Sequence, residues 1–219
     1  MTDRALSDVG LRERKRLATH RSIQLAVLTL VSERGLDGVT IDEIARVADI
    51  SPRTFFNYFA TKEEALQGDT PTLSSVDTER FLGGADGVDV LDGLERLLID
   101  ASQTRVQDLQ LVQLRHAVLK SYPKLFATRI VAMRAFEDEV AGLVRERLLL
   151  ASPHLAADEA HLIGRARLVT LVAFAAMRNA WAQWATGDAA ASLPDELASS
   201  FRELKALFAP EQSRFSTTV

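Results

Sequence analysis

Apolar residues near the start of the chain recur at i, i+3, i+4, i+7 and i+8, which is the spacing of an amphipathic helix. They are Ile23, Ala26, Val27, Leu30 and Val31. This stripe predicts a first helix from about Arg14 to Arg34. Gly35 follows it, and glycine commonly ends a helix because it adopts the left-handed backbone conformation without strain.

A capping box predicts a short second helix. In the run Thr40-Ile41-Asp42-Glu43, the Thr40 hydroxyl and the Glu43 carboxylate can each accept a backbone N–H that has no partner within the helix. The second helix should therefore begin at Ile41 and end near Asp49.

A Ser-Pro pair restarts the chain after this helix. Ser51 is a preferred N-cap, and Pro52 suits the first helical position, where its missing N–H is not needed. We predict a third helix from about Pro52 to Phe59, and a second capping box at Thr61 begins a fourth. Two short helices separated by a tight turn and preceded by a longer helix form a helix-turn-helix, whose last helix can enter the major groove of DNA.

The composition changes between Gly68 and Asp89, where Gly, Ser, Thr, Asp and Pro favour turns and loops. We therefore predict a linker at residues 68–89, a small domain before it at residues 1–67, and a larger helical domain after it at residues 90–219. Helical periodicity in the larger domain predicts five helices, at about Val90–Thr104, Leu109–Leu119, Pro123–Ala151, Glu159–Ala185 and Pro194–Phe208. The sequence has no clear strand pattern, so we predict an all-α fold.

The predicted helix-turn-helix also carries a dense, ordered set of residues. They run Gly35-Leu36-Asp37-Gly38-Val39-Thr40-Ile41-Asp42-Glu43-Ile44-Ala45, then Ala48-Asp49-Ile50-Ser51, Thr54-Phe55-Phe56, Tyr58-Phe59 and Lys62-Glu63. With them, the stretch from Arg21 to Leu66 resembles the DNA-binding domain of the TetR/AcrR family of transcriptional regulators. Two positions depart from that family, which often has Gly at Arg53 and Tyr at Phe56. The resemblance implies a three-helix DNA-binding domain followed by a helical domain for ligand binding and dimerisation.

The third helix supplies the candidate base contacts. Arg53 can bind guanine O6 and N7 through both arms of its guanidinium, and the Thr54 methyl can touch a thymine methyl. Phe55, Phe56 and Phe59 are too apolar for solvent and should pack this helix against its neighbours. The resemblance implies phosphate contacts, which position a protein without reading sequence, from Thr40, Asn57, Tyr58 and Lys62. The full predicted set of DNA-binding residues is Arg14, Lys15, Thr40, Ser51, Pro52, Arg53, Thr54, Asn57, Tyr58 and Lys62.

Charge is distributed unevenly along the chain. The formal net charge is −4, yet the segment from Leu11 to Arg21 contains only one acidic residue, Glu13. Its basic residues are Arg12, Arg14, Lys15, Arg16 and Arg21. A basic arm on an acidic body suits a protein that touches phosphate with one end. A solvated, charged helix end is the alternative.

The last two predicted helices each carry an apolar stripe. By analogy with the family, these stripes form a homodimer interface, and packing within one chain is an equally good interpretation. The stripes consist of Val169, Ala173, Ala180 and Trp184 on one helix and Leu197, Phe201, Leu204 and Phe208 on the other.

The family resemblance also implies an apolar effector pocket in the larger domain, although a side chain of each candidate type is more often ordinary core. The candidate lining is Gln113, Met133, Phe136, Phe174, Met177 and Trp181. Candidate polar partners for an effector are Gln113, His116, Arg134 and Asn179.

Several other classes of protein lack support in the sequence. It has no GxSxG, Walker, HExxH or dinucleotide-binding motif, so we do not expect an enzyme. With no Cys and with His116, His154 and His161 away from metal-ligand spacing, we expect neither a disulfide nor a metal or other cofactor. The first residues lack an apolar stretch, and the most apolar run, Leu168 to Met177, is about half as long as a bilayer span requires. We therefore expect a cytoplasmic protein without a membrane partner.

Together these features predict a repressor that a small, largely apolar effector releases from a palindromic operator. The alternative is an acyl-type ligand-binding protein, or an enzyme, with a non-functional DNA-binding domain.

Overall fold

The computed structural model describes residues 2–84, 87–103, 108–186 and 192–208, with the side chains of residues 2–9, 103 and 186 outside that description. All the regular structure in these ranges is helical, which confirms the all-α fold class. The helices are α1 (Thr2–Arg34), α2 (Ile41–Val47), α3 (Pro52–Phe56), α4 (Lys62–Gln67), α5 (Ser75–Gly83), α6 (Val90–Gln103), α7 (Leu109–Leu119), α8 (Pro123–Ala151), α9 (Glu159–Thr186) and α10 (Leu193–Phe208), with a 3₁₀ helix at Pro153–Ala157.

The chain divides into two compact units. The first unit comprises Met1–Thr70 and Arg105–Ala132, and the second comprises Pro71–Thr104 and Met133–Val219. The first unit therefore contains α1 to α4, α7 and the start of α8, and the second contains the other helices.

The core of the first unit joins the helix-turn-helix to α7. Apolar residues of α1 to α4 and of α7 form one buried cluster, which includes Ile23, Val27, Ile44, Phe55, Leu66, Leu111, Val118 and Leu119. The Tyr122 hydroxyl, at the turn between α7 and α8, accepts a hydrogen bond of 2.8 Å from the Leu36 backbone N–H. Helix α7 is thus an integral part of this unit.

In the second unit, α9 packs along α10, and both contact α6. The buried Arg147 of α8 donates hydrogen bonds to the backbone carbonyls of Phe81 at 2.6 Å, Gly84 at 3.0 Å and Val88 at 2.7 Å. Its guanidinium also lies 4.6 Å from the centre of the Phe81 ring. Burial lowers the pKa of Arg147, and these contacts compensate for part of its lost hydration.

The structure differs from the sequence-based organisation in three respects. Helix α1 begins at Thr2 rather than near Arg14. The predicted linker contains α5, whose N-cap Ser74 accepts the Asp77 backbone N–H at 3.1 Å. Helix α7, which we assigned by sequence to the larger domain, belongs to the first compact unit. Helix α5 was not predicted because its segment has the composition of a loop. Helix α7 was assigned to the wrong unit because the residues that it contacts are distant in sequence.

Helix α9 is long and apolar enough to cross a membrane by length and composition alone, with a mean hydropathy of 1.4 over Glu159–Ala185. Ala173, Phe174 and Ala180 are buried, and the helix packs along α10. These contacts are those of a core helix, so α9 does not indicate a membrane protein.

Candidate DNA-binding site

The N-terminus of α2 has the predicted capping box. Thr40 Oγ1 accepts the Glu43 backbone N–H at 3.3 Å, and the Glu43 carboxylate accepts the Thr40 backbone N–H at 3.0 Å. The Thr40 hydroxyl also donates a hydrogen bond to this carboxylate, with 2.9 Å between the two oxygens. The hydrogen bonds from Thr40 hold the pKa of Glu43 below its ordinary value. A phosphate contact from Thr40 would therefore have to replace its hydroxyl's donation to Glu43.

The turn between α2 and α3 is tight. Asp49 adopts a left-handed conformation with φ of 55°, which Asp tolerates better than most residues. Ser51 Oγ then accepts the Thr54 backbone N–H at 3.0 Å, with Pro52 in the first helical position. A helix as short as α3 is not stable on its own, so this cap and the buried side chains beneath the helix determine its position.

Two phenylalanines anchor α3, as predicted. Phe55 is 0% exposed and Phe59 is 4% exposed. The expectation that Phe56 also packs inward is wrong, because its side chain is 56% exposed. Its ring meets that of Phe55 edge-on, with centroids 5.7 Å apart. A helix as short as α3 can bury only one face, and Phe56 lies on the other.

The exposed face of α3 presents most of the predicted base-reading residues. Pro52, Arg53 and Asn57 are exposed, whereas Thr54 and Tyr58 are half-buried. Among the described residues, none forms a hydrogen bond or ion pair with the Arg53 guanidinium. All five of its N–H donors are consequently available to a partner outside the chain.

A polar cleft of about 810 Å³ lies next to α3, within the first unit. Thr54, Asn57 and Tyr58 share it with two arginines of α1, Arg16 and Arg21. Other residues that line it are Leu17, His20, Gln24, Phe59, Glu64, Gln67, Gly68, Asp69, Thr70 and Leu111. The sequence indicated Arg16 and Arg21 only as part of a basic arm and did not place them beside α3, although the i, i+4 spacing of Arg16 and His20 puts these two on one face of the helix.

The basic segment of α1 is only partly available for DNA. Arg16 forms an ion pair of 2.7 Å with Glu13, which raises the pKa of Arg16, and Arg21 pairs with Asp108. Arg14 and Lys15 are exposed. The Nε–H of Arg14 donates to the Gly10 carbonyl at 3.2 Å, which leaves the two terminal nitrogens of its guanidinium. The two residues predicted to touch DNA from this arm are thus accessible.

Lys62 has internal partners that the sequence did not indicate. Its Nζ donates to the backbone carbonyls of Leu36 at 2.7 Å and Val39 at 2.8 Å, and the side chain is half-buried. These bonds attach the first turn of α4 to the segment between α1 and α2. One N–H of the ammonium group remains for a phosphate.

The predicted apolar pocket residues do not share one unit. Gln113 lies in the first unit, whereas Met133, Phe136, Phe174, Met177 and Trp181 lie in the second. Phe136, Phe174 and Met177 are buried, with the first two rings 5.7 Å apart. In the second unit these three side chains are part of the core, and their role in an effector pocket stays a prediction.

Most of the predicted dimer residues are also buried within the chain. Their exposure is between 0% and 4% for Ala173, Ala180, Trp184, Leu197 and Phe201. Val169 and Leu204 are half-buried, and Phe208 is 77% exposed. These five side chains are covered within the chain, where α9 packs along α10. Their contact with a partner stays a prediction, beside the alternative of packing within one chain.

Comparisons with known proteins agree with the helix-turn-helix geometry. Residues 26–67 match the family described as bacterial regulatory proteins, tetR family. The HTH-type transcriptional regulator TcmR of Streptomyces glaucescens is 38% identical over 77 residues, which are 35% of this chain and 32% of TcmR. MftR of Mycobacterium tuberculosis strain H37Rv, named as a mycofactocin biosynthesis transcriptional regulator, is 26% identical over 138 residues, 61% of this chain and 68% of MftR.

The chain thus spans about a third of the length of TcmR. Among solved structures, a TetR-family regulator from Mesorhizobium loti MAFF303099 aligns with a TM-score of 0.45 and 18% identity, over 86% of this chain and 96% of that one. A second, from Shewanella sp. PV-4, aligns with a TM-score of 0.34 and 20% identity, over 86% and 97% of the two chains.

The fold and the exposed face of α3 define a helix-turn-helix protein. The match at residues 26–67 coincides with that motif and its flanking helices. This part of the chain is therefore similar to the bacterial regulatory proteins of the tetR family.

Proposed function

We propose that the protein is a cytoplasmic, homodimeric repressor that binds a palindromic operator and leaves it when a small, largely apolar effector binds. The observation that carries the DNA-binding part is the exposed Arg53 on a helix that Phe55 and Phe59 anchor from beneath. A recognition helix needs this combination, because its buried side chains hold it rigidly and so keep its exposed residues aligned with the base pairs of the DNA.

The proposed contacts divide by chemistry. Arg53 reads guanine, and Thr54 touches a thymine methyl beside it. Arg14 and Lys15 approach the DNA backbone or a minor groove. The proposed phosphate contacts position the protein on the backbone and come from Thr40, Asn57, Tyr58 and Lys62. Ser51 and Pro52 lie at the N-terminus of α3, the part of a recognition helix that approaches base edges. Exposure or half-burial of all these side chains supports this assignment.

A different face of α9 supports the proposed homodimer. Exposed small and apolar residues recur on it at i, i+4, i+7 and i+11, the spacing of one helical face. They are Gly164, Leu168, Leu171 and Ala175. Leu168 is 63% exposed and Leu171 is 39% exposed, so this face lacks an apolar partner among the described residues. A dimer supplies the two recognition helices that the two half-sites of a palindrome require.

The effector response is proposed from the family resemblance and has a direct assay. Trp181 and Trp184 are the two tryptophans of the chain, and their rings lie 5.4 Å apart in the second unit. An effector that enters this unit should change their fluorescence. For release of DNA, it must also bind the DNA-incompetent conformation more tightly than the competent one.

Selection of duplexes from a random-sequence library tests the DNA-binding proposal. We expect enrichment of one palindrome, bound at least about a thousandfold more tightly than random duplex at physiological salt. Titration of that complex with fatty acids and acyl thioesters then tests effector release. A selection that enriches no sequence would contradict the DNA-binding part, and unchanged binding and fluorescence across the lipid set would contradict only the effector part.

A further inference from the structure

The C-terminal end of α4 is held by two arginines from the helices that follow the predicted linker. Arg115 of α7 donates its Nε–H to the Leu66 carbonyl at 3.2 Å. Arg129, near the start of α8, donates to the Gln67 carbonyl at 2.6 Å. The last carbonyls of a helix have no partner within it, and they carry its partial negative charge. Two guanidinium groups therefore cap α4 at the end where cations are favoured.

This cap places two positive charges in a poorly hydrated region. Burial, together with the neighbouring charge of Arg129, lowers the pKa of Arg115 to about 10. Burial also lowers the pKa of Arg129. The carboxylates of Asp69 and Asp108 act in the opposite direction on Arg115. Two like charges withdrawn from water are unfavourable unless fixed acceptors hold them, so the carbonyls of α4 have a specific role here.

The backbone at the end of α4 is shaped to admit the Arg115 guanidinium. Gly68 has φ of +72°, and a Cβ added there would lie 2.4 Å from Arg115 Cζ. Any other residue would displace the guanidinium and also strain the backbone. Glycine is thus required here for two separate reasons.

Gln24 of α1 completes the cap from the opposite side. Its Oε1 accepts the Nη2–H of Arg115 at 3.1 Å, so Arg115 bridges α1 and α4. Because a guanidinium only donates hydrogen bonds, the amide atom of Gln24 that faces Arg115 is the oxygen. The other end, Nε2, is buried and has no hydrogen-bond partner among the described residues. Gln24 is only 5% exposed, so its amide is held by Arg115 rather than by water.

The other end of α4 is also attached, through Lys62 and through Thr61, whose hydroxyl accepts the Glu64 backbone N–H at 3.1 Å. Only residues 57–61 separate α3 from α4. Ala65 and Leu66 are buried in the same core as Phe55 and Phe59. A shift of the C-terminal end of α4 would consequently be transmitted to the base of the recognition helix.

We propose that Arg115 and Arg129 are positioning residues for DNA recognition, which fix α4 and through it the orientation of α3. Helix α7 and the start of α8 are then working parts of the DNA-binding unit, and a movement of either helix changes DNA affinity through these two side chains. This inference rests on the proposed DNA-binding function.

The test compares full-length Arg115→Met and Arg129→Met with the wild type, on a duplex selected from a random library by the wild type. We expect each substitution to weaken binding roughly tenfold or more, within the usual range of coupling between sites. The slope of log affinity against log salt should stay unchanged, because neither arginine contacts a phosphate. Amide hydrogen exchange should accelerate at residues 65–68 and in α3. Arg202→Met, at an exposed position of α10, is the control and should match the wild type.

Lysine substitutions separate a positioning role from general destabilisation. Arg129→Lys retains the charge and a donor for one carbonyl, so it should recover most of the affinity. Arg115→Lys cannot bridge Leu66 and Gln24 with a planar fork and should not recover it. Should the methionine variants fail to fold, Gln24→Glu provides a milder change, since it replaces the unpartnered N–H and adds a charge that strengthens the bond to Arg115. We expect slower exchange at residues 65–68 in that variant.

Two results would overturn the inference while the proposed function stands: wild-type affinity in both methionine variants, or equal exchange at residues 65–68 in all variants. If the wild type selects no duplex, the proposed function fails instead. The exchange measurements, which need no DNA, then decide whether the two arginines hold α4 and α3.

Discussion

Arg53 and Phe56 are neighbours on the outer side of α3, with opposite chemistry. Both are exposed, and Arg53 has no bonding partner among the described residues. An arginine reads guanine by two parallel hydrogen bonds, whereas an exposed phenyl ring offers only apolar contact. Phe55, which lies between Thr54 and Phe56 in the sequence, is buried. Along α3, buried residues therefore hold the helix in place and exposed residues are available to contact DNA. Substitutions can separate these two roles.

Arg53→Ala should relax base preference at one position in each half-site. The expected loss is about 1 to 3 kcal/mol for each bidentate contact removed. Lys15→Ala is the contrasting variant, because a phosphate contact adds affinity on every sequence and contributes roughly 0.9 to the salt slope. Binding titrations on the selected duplex and its single-base variants measure both effects. Equal weakening of Arg53→Ala on all sequences would show that Arg53 does not read a base.

Phe55→Ala and Phe56→Ala should differ sharply in stability. The buried Phe55 should cost roughly 3 to 5 kcal/mol of unfolding free energy on truncation, through lost apolar burial and the cavity left behind. The exposed Phe56 should change it by no more than about 0.5 kcal/mol. Urea denaturation followed by circular dichroism provides the comparison. A large destabilisation by Phe56→Ala would mean that its ring is buried in solution.

At the scale of elements, the sequence predicted those features that depend on residues close in the chain. The caps at Thr40, Ser51 and Thr61 each require only a hydroxyl and an N–H three positions away, so their spacing is readable. The partners of Lys62 and Arg115 are carbonyls or amides far away in sequence. Nothing local distinguishes such a side chain from a solvated one. The predicted surface role of Lys62 was incomplete for this reason, and the two arginines were not recognised.

The capping box of α2 should make stability depend on acid pH. The pKa of Glu43 is lowered in the folded state, so its contribution is present above the unfolded pKa and is lost as pH falls through the folded pKa. Glu43→Gln removes the charge but keeps the amide oxygen as an acceptor. We expect wild type to be more stable than Glu43→Gln at about pH 6 and the difference to shrink near about pH 3.5. Urea titrations at the two pH values measure it, and a pH-independent difference would contradict the assignment.

At the scale of the whole molecule, the helices that pack into one unit differ from those that the composition of the sequence assigned to one domain. The change of composition after Gly68 suggested that everything beyond residue 89 forms a second domain. Instead, Leu111, Val118 and Leu119 of α7 complete the core beneath the helix-turn-helix. We therefore expect a fragment that ends at residue 70 to expose this core and to be less stable than the full chain. This arrangement leaves the outer face of α9 as the best-supported surface for a second copy.

Leu171→Glu and Phe201→Glu should separate dimerisation from folding. Leu171 lies on the exposed face of α9, so a charge there should produce a folded monomer. This monomer should bind a duplex that contains both half-sites more weakly than the wild type does. Phe201 is 0% exposed, so a carboxylate there would be buried without a partner and should unfold the second unit. Analytical ultracentrifugation at micromolar concentration, with circular dichroism on the same samples, gives both readouts. Glu203→Gln, at an exposed polar position of α10, serves as a control that should remain dimeric. If Leu171→Glu stays dimeric while folded, the interface lies on another face, although the DNA contacts proposed for α3 would be unaffected.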